Sequence, residues 1–96
     1  MLSGFRVLGF DLETTGFDPS KHRIVQYAFI GSDVDGTHIN AESLVKPNMK
    51  IPPETTRIHG ISDRDVKKSK LFHEHVEEIS NLINGSILVG HNVIRF

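Results

Sequence analysis

The stretch Gly9-Phe10-Asp11-Leu12-Glu13-Thr14-Thr15-Gly16 decides how the rest of the chain is read. Apolar residues lead into it from Phe5 through Val7, Leu8 and Phe10, which predicts a short buried strand. Side chains alternate between the faces of a strand, so Asp11 and Glu13 share one face and Leu12 takes the other. At two strand residues apart their Cα atoms lie about 6.6 Å from one another. Carboxylates that close repel unless something positive sits between them. Hard divalent cations, Mg²⁺ or Mn²⁺, suit such a pair because they take oxygen ligands and bridge phosphate oxygens. Thr14, Thr15 and Gly16 then turn the chain away. On its own, Asp-x-Glu before Thr and Gly is more often a solvated turn. Residues further along the chain decide between the two.

Composition narrows the classes. Ninety-six residues suit one small domain, and 38% hydrophobic with 24% charged residues is ordinary for a globular chain. There is no cysteine, so disulfides and thiolate metal sites are excluded, and a cytoplasmic location is expected. No apolar run approaches the roughly 20 residues of a membrane span, and the first residues lack a signal-peptide pattern. A net charge of −1 argues against a protein that coats nucleic acid regardless of sequence. It leaves room for an enzyme that meets phosphates through bound metal ions.

Outward from the central stretch, Phe17 to His22 reads as a polar loop with a proline turn signal. Arg23 to Ser32 carries apolar residues on both faces, as a central strand does. Asp35-Gly36 marks a hairpin, and Thr37 to Lys46 forms a polar edge strand that Pro47 ends, with Ile39 and Ala41 inward. Pro47 to Pro53 is a linker too short to be a domain boundary. Pro52 to Ile61 predicts a short helical turn with proline at its start and Gly60 at its end. Ser62-Asp63-Arg64-Asp65 has the form of a capping box. Phe72, Val76, Ile79 and Ile83 predict an amphipathic helix closed by Asn84-Gly85, with Glu74, Glu77 and Glu78 outside. His73 and His75 point in different directions at helical spacing and are expected on its solvated surface. Ser86 to Val89 is expected to be a short buried strand, parallel to the first because a helix crossover precedes it. It delivers His91 and Asn92 at its carboxyl end, where ligands bind in open α/β sheets.

Three stretches, Phe10-Asp11-Leu12-Glu13-Thr14-Thr15-Gly16, Arg57-Ile58-His59-Gly60-Ile61 and Val89-Gly90-His91-Asn92 with Phe96, together resemble the DnaQ-like (DEDD) 3′–5′ exonucleases. That superfamily includes the proofreading subunit of bacterial DNA polymerase III, ribonuclease T and oligoribonuclease. The resemblance implies an RNase H-like α/β fold, here three antiparallel strands plus a parallel strand reached by a helix crossover, and truncated. It implies two-metal hydrolysis of the terminal phosphodiester, with Mg²⁺ or Mn²⁺ as cofactor and two ions in the complete domain. By the same resemblance Asp11 and Glu13 are metal ligands and catalytic residues. The backbone at Thr14 and Thr15 lines the 3′-terminal nucleotide pocket, and Glu54, His59 and Asn92 contact the nucleic acid. Gln26 stands where relatives often have glutamate.

The family's second motif closes with an aspartate directly after the phenylalanine, beyond Phe96, and a later histidine and aspartate complete its site. Residues 1–96 are therefore expected to be the N-terminal part of a single exonuclease domain. The partners expected are the 3′ end of single-stranded DNA or RNA and a DNA polymerase, in DNA replication or repair, and no membrane. Two other readings fit the residues: a non-catalytic module that binds nucleic-acid ends or protein, and a fragment that completes its sheet with another chain. The 96 residues by themselves are expected to show little or no nuclease activity and to self-associate through uncovered apolar surface.

Overall fold

The computed structural model describes residues 4–16, 18 and 20–90. His91, Asn92 and Phe96, which carry part of the resemblance, lie outside them.

The apolar run after Phe5 becomes strand β1, Arg6–Thr14, so both carboxylates lie within the strand. Strand β2, Ile24–Ser32, returns antiparallel, with Asp11 opposite Ala28 and Glu13 opposite Gln26. The turn at Asp33–Gly36 leads into β3, His38–Leu44, antiparallel to β2 at one edge of the sheet. Helix α1, Pro53–His59, starts with proline in its first turn and stops at Gly60, whose φ of 76° is the left-handed cap that glycine adopts readily. Helix α2, Asp63–Val66, opens with the expected capping box: Asp65 accepts from the Ser62 backbone N–H at 2.9 Å and the Ser62 hydroxyl at 3.0 Å. A 3₁₀ turn at Phe72–His75 runs into α3, Val76–Ile83, and β4, Ser86–Gly90, pairs parallel to β1. The strand order is β3-β2-β1-β4.

One face of the sheet is covered. Leu8, Tyr27, Phe29 and Val45 form its core, and Ile79, Leu82 and Ile83 of α3 pack on them along with Phe10 and Leu12. A second cluster of Val25, Ile51, Ile61 and Val66 seats α2 and the segments flanking α1. The pairing of β1 with β2 shifts register between Glu13 and Thr14, which leaves Val25 out of the ladder and into that cluster.

Three expectations need correction. β2 is central but is buried on one face only, with Ile30 50% exposed on the other. β4 runs parallel to β1 as expected, yet it is not buried: Val89 is 59% exposed and Leu88 is exposed beside it. The helix predicted from Phe72 starts as a 3₁₀ turn, with Phe72 and Val76 outside and His75 inside. His73 is on the surface, whereas His75 is 5% exposed and packs edge-on against Tyr27 at 5.3 Å. Its Nδ1 is 3.2 Å from the Tyr27 hydroxyl, and its buried Nε2 has no partner among the described residues. Burial pushes the Tyr27 phenol up from its ordinary value, and the Glu78 carboxylate adds to the push.

Candidate active site at the end of the first strand

Asp11 and Glu13 share the uncovered face because Leu8, Phe10 and Leu12 take the covered one. Asp11 is exposed and Glu13 half-buried. Neither carboxylate is engaged by a hydrogen-bond or ion-pair donor among the described residues, where Arg6–Asp33 is the ion pair found. Gly9, Ala28, Ile30, Val89 and Gly90 make an open shelf of about 420 Å³ beside Asp11. Two free carboxylates on one strand face are hard oxygen donors of the kind Mg²⁺ and Mn²⁺ take. They are two ligands of a site rather than a whole one, since no group of three or more potential metal ligands occurs among the described residues.

The turn after Glu13 is held from two sides. On one side the His59 ring reaches back from the end of α1, and its Nε2 donates to the Thr14 carbonyl at 3.1 Å. The Ile61 N–H donates to Nδ1 of the same ring at 3.0 Å, so both ring nitrogens are engaged and the tautomer is set. Gly60 in its left-handed conformation lets the chain double back to make that second bond. On the other side, Thr15 donates its N–H to the Arg23 carbonyl at 2.8 Å and accepts the Arg23 N–H on its hydroxyl at 3.0 Å. The Thr14 hydroxyl donates to the Gly16 carbonyl at 2.6 Å. Thr14 and Thr15 are buried in consequence.

The His22 ring fills the space above Gly16: a Cβ there would lie 2.6 Å from Nε2, a contact real structures do not show. Nδ1 of that ring accepts the Asp18 N–H at 3.1 Å. Sequence reasoning missed His22. Its signal was the polar stretch from Asp18: the Asp18 carbonyl accepts the His22 N–H at 2.8 Å, which brings a side chain four residues on back against Gly16. Glu54 is exposed in the first turn of α1, the element that also carries His59. The structure thus brings Asp11, Glu13, Thr14, Thr15 and His59 to one end of β1, with Glu54 on the neighbouring helix. Asn92 is outside the described residues.

A mixed sheet of this order, with paired carboxylates on its first strand, defines an RNase H-like nuclease fold. The family model described as Exonuclease (RNase_T) matches residues 8–96, and the chain belongs to that family. It is 37% identical over 93 residues to DNA polymerase III subunit epsilon of Rickettsia conorii, covering 95% of this chain and 40% of that protein. To the same subunit of Treponema pallidum it is 34% identical over 83 residues, covering 86% and 39%. Among solved structures, exonuclease I from Methylocaldum szegediense superposes with a TM-score of 0.75 at 26% identity, covering 92% of this chain and 20% of that one. Escherichia coli exonuclease I in complex with a dT13 oligonucleotide gives a TM-score of 0.76 at 24% identity over the same shares, a likeness of fold. The chain therefore spans about two-fifths of the length of the epsilon subunits it matches. Exonucleases of this fold generally use divalent metal ions.

Proposed function

We propose that this chain carries one side of the active site of a 3′–5′ exonuclease that removes nucleotides from the 3′ end of single-stranded nucleic acid. The observation that carries the reading is the pair Asp11 and Glu13, unpaired among the described residues and facing open space at the end of β1 beside a turn fixed on both flanks. Residues 1–96 form the N-terminal part of one exonuclease domain on this reading, consistent with the single sheet and with the share of the relatives they span.

Asp11 and Glu13 hold the divalent ions, Mg²⁺ or Mn²⁺. Such ions, when bound, neutralise charge on a phosphoryl group and acidify water at neutral pH. The Thr14–Thr15 turn forms the floor for the terminal nucleotide. His59 is a positioning residue in the observed arrangement, because both its ring nitrogens are spent on Thr14 and Ile61. Glu54 and Asn92 complete the contacts to the terminal nucleotide. A DNA polymerase is the protein partner this reading favours, since the epsilon relatives are named as polymerase subunits, and the cytoplasm is the corresponding location. No helix among the described residues is long and apolar enough to cross a membrane.

The test is digestion of a 5′-labelled single-stranded oligonucleotide by the full-length protein in Mg²⁺. Products shortened stepwise from the 3′ end are expected, with Asp11→Asn and Glu13→Gln each reducing the rate by orders of magnitude. Undiminished digestion in both variants would remove the basis of the reading. His59→Ala is expected to raise KM or lower kcat/KM while leaving metal affinity unchanged. The 96 residues alone, which supply two carboxylates and expose Ile30 and Val89, are expected to cleave slowly or not at all and to self-associate in sedimentation.

A further inference from the structure

Next to the Thr14–Gly16 turn, on the side away from His59, lies a groove of about 590 Å³ lined by His22, Arg23, Lys46, Asn48, Phe72 and His73. That volume falls within the usual range for a small-ligand pocket. Arg23 forms part of both structures: its backbone grips Thr15, and its side chain lines the groove. One wall is fixed by the Lys46 N–H donating to the Lys70 carbonyl at 2.9 Å, which places Leu71 to His73 beside Lys46.

The charge in the groove is of one sign. The chain as a whole has 11 Lys and Arg against 12 Asp and Glu, yet the lining includes Arg23 and Lys46 and no carboxylate. Of the acids close to it in sequence, Asp18 accepts from the hydroxyl and N–H of Ser20, and Glu74 accepts the Leu71 N–H. Neither Arg23 nor Lys46 has an ion-pair partner among the described residues, and both are exposed. Phe72, 42% exposed, is an aromatic ring that the fold leaves partly open to solvent. Cations without counter-charge beside an open aromatic ring are the features with which proteins hold single-stranded nucleic acid, on phosphates and by base stacking.

We propose that this groove holds the phosphodiester backbone of the single strand upstream of its 3′ end, with Arg23 and Lys46 on phosphates and the Phe72 ring under a base. The proposal rests on the exonuclease reading for the polarity of the strand, but its binding chemistry does not require metal or cleavage. It is tested by fluorescence anisotropy of a short labelled oligothymidylate with the full-length protein in EDTA, across a salt series. Arg23→Ala and Lys46→Ala are each expected to lower the slope of log K against log salt by about 0.7, one phosphate on a single strand, and Arg23→Lys to restore it. Phe72→Ala is expected to weaken binding by about 5- to 150-fold with the slope unchanged. Thymidine 5′-monophosphate binding in Mn²⁺ reports the terminal site and should be lost in Asp11→Asn but kept in Lys46→Ala and Phe72→Ala. Unchanged affinity and slope in the Arg23 and Lys46 variants would overturn the groove proposal and leave the exonuclease reading standing. Displacement of the oligothymidylate by an acidic peptide of equal charge, at equal concentration, would overturn it in favour of a protein occupant. Normal groove binding with no metal-dependent digestion would instead sink the exonuclease reading alone.

Discussion

The two faces of the sheet are made from the same strands and have opposite fates. On one, Leu8 is fully buried and Tyr27 and Phe29 nearly so, closed over by Ile79, Leu82 and Ile83 of α3. On the other, Gly9, Asp11, Ala28, Ile30 and Val89 look onto open space. The covered face supplies the apolar burial that holds β1 in place. The open face uses that rigidity to keep two like charges side by side, which a flexible segment would separate. Stability and chemistry are thus divided between alternate residues of β1, from Leu8 to Glu13.

The largest expected effect separates the faces directly. Leu8→Ala should cost about 2–5 kcal/mol in urea unfolding, as for a buried leucine left with a cavity, and Ile30→Ala about 0.5 kcal/mol or less. Comparable losses at both positions would mean that the second face is covered in solution. Next in size is Gly16→Ala, whose new methyl group must displace the His22 ring. An overpacking cost of about 1–3 kcal/mol is expected, together with a higher KM, and a variant as stable as the parent would show that the ring moves freely.

Asp11→Asn sharpens the comparison from the open side. Its effect on stability should stay within about 0.5 kcal/mol, while Mn²⁺-induced NMR broadening, strongest at residues 10 to 16 in the parent, should fade. Broadening centred on His73 and His75 would contradict the assignment. The smallest effects are in pH. Hydrogen bonds from Ser62 hold the Asp65 carboxyl below its ordinary value of 3.8, so its contribution is complete above that pH and is lost as pH falls through the lowered folded value. Asp18 and Asp35, lowered chiefly by bonds from Ser20 and Thr37, act in the same window. Tyr27 has the opposite sign: the folded chain keeps a proton that the unfolded chain loses near pH 10, so stability is intact below that pH and falls as it rises. Chemical denaturation at pH 3 and above pH 10 checks both arms.

Most of this architecture could be read from residue order. Asp35-Gly36 marked the hairpin, Pro53 and Gly60 bracketed α1, and Ser62 with Asp65 announced α2, because each acts through bonds to its own neighbours. The pairing of Asp11 with Glu13 on one face came from strand alternation alone. What failed was burial set by distant partners. Ile30 and Val89 belong to apolar runs that look buried on both sides, and nothing local says that α3 covers only one. His75 is inside because it packs edge-on against Tyr27, a partner far away in sequence that apolar spacing does not reveal. Within the site, the carboxylates and the turn were legible. The double engagement of His59 was not, since it depends on where α1 docks.

The pairing of β1 sets an order in time as well as in space. Val7 meets Ser32 across a single connecting loop, whereas Arg6 meets Ser86 only after nearly all the described chain has been made. Loop closure grows costlier with chain length, so the antiparallel ribbon of β1, β2 and β3 is favoured to form first and β4 to dock last. The carboxylate pair is then assembled early, by local contacts, during synthesis of the chain. The strand that leads toward His91 and Asn92 arrives at a β1 whose other edge is already taken, and so has one berth left.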